Sequence, residues 1–128
     1  SRPASGQAAA LTVTDRPQPG TTQGQPFEHD PDTAGSDSFR IPGLTTLRDG
    51  ALLATADARW NTTYDGGGLD TIVSRSEDNG ETWNYNFANY LGDNGNEYSG
   101  DGSTCFIDPS VAVKYEGSQE TIYLLADL

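Results

Sequence analysis

From Phe39 onward, short apolar-rich runs alternate with polar, glycine-bearing breaks, the pattern of strands joined by turns. The runs RIPGLTTL and ALLATADAR flank Arg48-Asp49-Gly50 and predict a first hairpin. DTIVSRSED and TWNYNF, joined by Asn79-Gly80-Glu81, predict a second. In up-and-down order these four strands make one antiparallel sheet, from Arg40 to about Phe87. A polar, glycine-rich loop then covers Ala88 to Thr104. After it FIDPSVAVKY, the turn EGSQ and ETIYLLADL predict the opening hairpin of another sheet, within about residues 106–128.

The first 35 residues read differently. They hold five of the seven prolines, with Gly, Ser, Thr and Gln filling much of the space between them, and predict a mostly irregular leader or linker. LTVTD, Leu11 to Asp15, is one short strand candidate within it. Residues 36–128 then form the structured part. A recurring sheet unit of roughly 40–50 residues is the signature of a propeller blade, and a ring needs at least about four blades to close. The expected fold class is therefore all-β, with antiparallel four-stranded blades: blade 1 at about 39–87, and the start of a second. Fewer than two blades make the chain the N-terminal portion of something longer. A small β-sandwich that uses every strand is the competing architecture.

Charge narrows the partners. Nineteen acidic residues against seven basic ones give a formal net charge of −12, a field that repels nucleic acid and acidic membrane surfaces. An anionic ligand needs local help, and six of the seven basic residues are arginines, the side chain shaped to grip a carboxylate in a bidentate fork. The single cysteine, Cys105, excludes an intrachain disulfide and a cysteine-based zinc site. Asp93 to Gly102 is rich in oxygen ligands, but it lacks the terminal bidentate glutamate of a calcium loop and reads as a solvated loop. No metal or cofactor is expected.

One arginine stands out by its place. Arg40 lies between Phe39 and Ile41 at the start of a strand, where a guanidinium is costly unless an anion meets it. An up-and-down meander puts the start of its first strand, the end of its second and the start of its third at one end. Arg40, Arg59 and the loop carrying Asp65 share that end, as does Asp108 near the start of the next sheet, while both tight turns fall at the other. Two readings follow: the arginines neutralise Asp65 and Asp108 in an ion-pair network, or a carboxylate-gripping arginine stands beside an acid catalyst for an acidic sugar. The meander does not choose between them.

SEDNGETW, Ser76 to Trp83, matches the Asp-box pattern Ser-x-Asp-x-Gly-x-Thr-Trp at every defined position, on the turn between the third and fourth strands. FRIP, Phe39 to Pro42, opens the strand upstream of it. Together they resemble the bacterial sialidases, exo-acting enzymes that remove terminal sialic acids and share a six-bladed propeller. The resemblance implies that Arg40 is the first of three arginines clamping the sialic acid carboxylate. It also implies that Arg59 contacts the O4 region of the ring, that Asp65 is the acid/base residue on its loop, and that Asp108 lines the pocket near O4 and the N-acyl group. The remaining arginines and the tyrosine nucleophile with its glutamate come from later blades, so sialic-acid-bearing glycans and the rest of the same polypeptide are the expected partners. The chain alone is then inactive, and the resemblance implies a secreted or cell-surface location. A non-catalytic sialic-acid-binding or adhesion module keeps Arg40 with no need of Asp65, and an interaction scaffold leaves FRIP without a role.

Overall fold

The computed structural model describes residues 19–27, 36–60, 65, 68–89 and 106–127. LTVTD, the acidic run 93–102 and Cys105 lie outside those residues. Seven strands are described: β1 Gly20–Gln23, β2 Ser36–Thr46, β3 Leu52–Trp60, β4 Gly68–Ser76, β5 Thr82–Phe87, β6 Ile107–Glu116 and β7 Gln119–Asp127. The first five form one antiparallel sheet in the order β1-β5-β4-β3-β2, and β6 and β7 pair as a separate antiparallel hairpin. The predicted meander is therefore present as β2 to β5, followed by the predicted second hairpin.

Alternation along β3 sorts its side chains onto two faces. Ala56 and Ala58 pack with Ile72 and Phe87 on one face, and half-buried Phe27, Phe39 and Tyr85 close around them. Leu53 turns the other way, with Leu47 and Ala51, toward Val111 and Val113 of the second hairpin. Burying a large apolar side chain such as Phe87 or Ile72 stabilises by roughly 1.5–3 kcal/mol, so the two faces hold the sheet from both sides. β4 runs between them buried along most of its length, as a central strand should.

Two findings go beyond the predicted meander. β1 lies within the proline-rich stretch and pairs with the outer edge of β5, Gly20 opposite Tyr85 and Gln23 opposite Thr82. This fifth strand covers a row of backbone groups that β5 would otherwise leave open. Its polar sequence, GTTQ, buries only Thr22 and so carries no apolar rhythm to announce it. A Cβ at Gly20 would run into the Tyr85 ring, so any other residue here would have to displace that ring. Phe27, in the same stretch, stacks on Phe39 with ring centroids 5.4 Å apart.

β2 and β6 are also each kinked next to a proline. The β2–β3 register shifts between Arg40 and Gly43, and the β6–β7 register between Ile107 and Ser110. Ile41 and Asp108 have φ of 55° and 56°, and each precedes a proline that cannot donate to the ladder. A β-branched residue such as Ile41 pays for that conformation in strain, whereas aspartate tolerates it.

At the turn end, the Ser76–Trp83 motif closes on itself. Asp78 Oδ1 accepts from the Ser76 hydroxyl at 2.9 Å and from the Thr82 N–H at 2.8 Å, while the Thr82 hydroxyl bonds Oδ2. The Gly80 N–H donates to Ser76 Oγ at 2.8 Å, and Trp83 Nε1 donates back to the Gly80 carbonyl at 3.0 Å. Asn79 and Gly80 sit at φ of 62° and 91°, conformations that favour these two residue types. Hydrogen bonds from Thr82 hold the Asp78 carboxyl below its ordinary range.

Candidate active site

The opposite rim is built by β2, β3 and the connection that follows β3. Arg40 lies within β2, which begins earlier than expected, at Ser36, and immediately precedes the Ile41-Pro42 kink; Arg59 lies near the end of β3, and Asp65 is in the connection to β4. Arg59 Nη1 donates to Asp65 Oδ1 at 2.9 Å, and Arg40 Nη1 approaches the same oxygen at 3.7 Å. Arg40 and Asp65 are open to solvent, with side chains 50% and 73% exposed, whereas Arg59 is fully buried. The rim thus presents two guanidinium groups that already hold one carboxylate at the surface.

The buried half of this cluster was not foreseen. Asp57 is fully enclosed, and its Oδ2 accepts from Arg59 Nη2 at 2.9 Å. Its Oδ1 accepts from the main-chain N–H of Asp108 at 3.1 Å. Burial pushes the Asp57 carboxyl above its ordinary range, against the hydrogen bond and charge of Arg59, which pull it down. The signal was present as Asp57-Ala58-Arg59: a two-residue spacing on a strand places both charges on one face. Asp108 joins the group through its backbone, and its own side chain is exposed. The structure therefore brings Arg40, Arg59 and Asp65 into one ion-paired group and links Asp108 to it through Asp57. Among the described residues no group of three metal-ligating side chains occurs.

The described residues are all-β, with one antiparallel meander, a separate hairpin beside it, and a charged rim opposite a self-bonded tryptophan turn. No family model matches the chain. It is 40% identical over 78 residues to a sialidase of Paraclostridium sordellii, covering 61% of this chain and 18% of that protein. It is 31% identical over 122 residues to an anhydrosialidase of Macrobdella decora, covering 84% of this chain and 16% of that protein. Against a solved Trypanosoma rangeli sialidase in complex with the inhibitor DANA it shows 20% identity and a TM-score of 0.43, covering 70% of this chain and 20% of that one. That geometric likeness is slight, and the sequence matches carry the assignment: the chain holds part of a sialidase domain. It spans under a fifth of the length of these curated relatives.

Proposed function

We propose that this chain supplies one side of the active site of an exo-α-sialidase, a glycoside hydrolase that removes terminal sialic acids from glycoconjugates. Arg40 binds the sialic acid carboxylate, Asp65 is the general acid and base, and Arg59 and Asp108 line the pocket beside them. The observation that supports this reading is the convergence of Arg40 and Arg59 on the Asp65 carboxylate at an open rim. A site that gathers two guanidinium groups around one surface carboxylate has the charge and geometry to take another from a ligand.

The chemistry follows from the substrate. Sialic acid carries its carboxylate on the anomeric carbon, so an anionic carboxylate nucleophile is repelled, and the usual two-carboxylate scheme of glycosidases does not apply. Asp65 gives its proton to the leaving oxygen and later takes one from the incoming water. Arg40 faces a charge that persists through the reaction, so it contributes binding and orientation more than barrier lowering. The nucleophile and further carboxylate contacts belong to the remainder of the polypeptide, and residues 1–128 alone are expected to be inactive.

The test is Asp65→Ala in the polypeptide that carries this sequence. Turnover of sialosides with poor leaving groups should fall by about 10²–10⁴, the usual worth of a positioned acid or base, while affinity for free sialic acid is kept. Undiminished turnover of those substrates by the variant rules out Asp65 as the acid. Binding of sialic acid with no hydrolysis by the parent protein points to a carbohydrate-binding module instead.

A further inference from the structure

Asp57 has no part in the chemistry above, yet it is the rim's enclosed carboxylate and both of its oxygens are engaged. Its two partners lie on different sheets: Arg59 on β3 of the first and Asp108 on β6 of the second. The Asp108 N–H falls where the β6–β7 register breaks, and it turns to Asp57. Elsewhere between the sheets, Leu53 meets Val111 and Val113, an apolar contact that holds surfaces together without aiming anything. Burying a carboxylate costs more than burying a valine, and what it adds is direction, because each oxygen fixes one donor.

We infer that Asp57 is a positioning residue, which sets Arg59 and the Asp108 kink at a fixed separation across the two sheets and turns the Nη1 side of the Arg59 guanidinium toward Asp65. This deepens the proposed function and rests on it for its catalytic meaning; the clamp itself rests on the geometry. Arg59 spends Nη2 on Asp57 inside and Nη1 on Asp65 outside, so its single positive charge is shared between two carboxylates. The other charged groups in reach are Arg40 from β2, which faces Asp65, and Asp108 from β6, which faces Asp57. Asp70 of β4 stands opposite Ala58 and so points to the other face of the sheet.

The experiment compares the parent with Asp57→Asn and Asp57→Glu in the polypeptide that carries this sequence, using 3′-sialyllactose as substrate. Asparagine keeps the size and removes the charge, so Arg59 acts on Asp65 undivided. The alkaline limb of the kcat/KM profile should then move to lower pH by about one unit, a tenfold loss on that limb, the order expected for one charge removed within a few ångströms. Glutamate keeps the charge on a longer arm, so the limb should stay in place while kcat falls at least about tenfold from misplacement alone. In the parent, the Asp108 amide should exchange with solvent at least about tenfold more slowly than an unprotected peptide.

Profiles and rates of both variants that superimpose on the parent's overturn the inference. An Asp108 amide that exchanges at the unprotected rate overturns it as well, even if neither variant folds. A parent that hydrolyses no sialoside defeats the proposed function, and the amide measurement then decides the clamp by itself.

Discussion

The two ends of the first sheet solve the same problem, a concentration of charge at the margin of a small core, in opposite ways. At the turn end, Arg75 is ringed by Asp49, Glu77 and Glu120 at 3.2–3.3 Å, and it stays partly exposed. Asp78 finds its partners within four residues of itself. At the rim end, Arg59 is sealed from water and leans on Asp57, which in turn reaches a residue 51 positions away. Charge that remains wet can be held locally and redundantly. Charge that is buried has few partners, and each must come from a specified place in the fold.

Substitution of the two arginines should expose that difference most clearly. Arg59→Met should lower the stability of the fold by about 3–5 kcal/mol in urea unfolding, because it leaves the enclosed Asp57 carboxylate with an uncompensated charge. Arg75→Ala should cost about 1 kcal/mol or less, since its ion pairs are screened by water and shared three ways. Equal losses for the two would mean that burial does not set the worth of these pairs.

The smallest effect at neutral pH is expected at Asp78. Its folded-state pKa lies below the unfolded value, so the stability it lends is complete above about pH 4 and is lost as pH falls through the folded value. Asp78→Asn should therefore lower the neutral plateau of a stability–pH curve slightly and flatten its acid limb, the gap to the parent closing as pH falls through the folded value. A variant whose acid limb matches the parent's would remove Asp78 from the turn's pH response.

The contrast also explains what could be read from residues alone. The Ser76–Trp83 turn was legible because its donors and acceptors lie within one short window, and the meander because its apolar runs are punctuated by Asp49-Gly50 and Asn79-Gly80. Strand order then brought Arg40, Arg59 and Asp65 to one end, and the structure joins them. Asp57 was missed because its meaning depends on the Asp108 backbone of another sheet, a partner that no local pattern names. β1 was missed for a related reason: its pairing with β5 is carried by backbone, with Thr22 as its one buried side chain.

That strand has a consequence for the order in which the sheet assembles. β2 to β5 are neighbours in sequence and can zip from their turns, whereas β1 must find β5 across a gap of about sixty residues. Closing the longer loop costs more chain entropy, and only four residue pairs repay it. β1 is thus the last strand expected to dock and the first to detach. It works as a latch whose bolt hole is the missing side chain of Gly20.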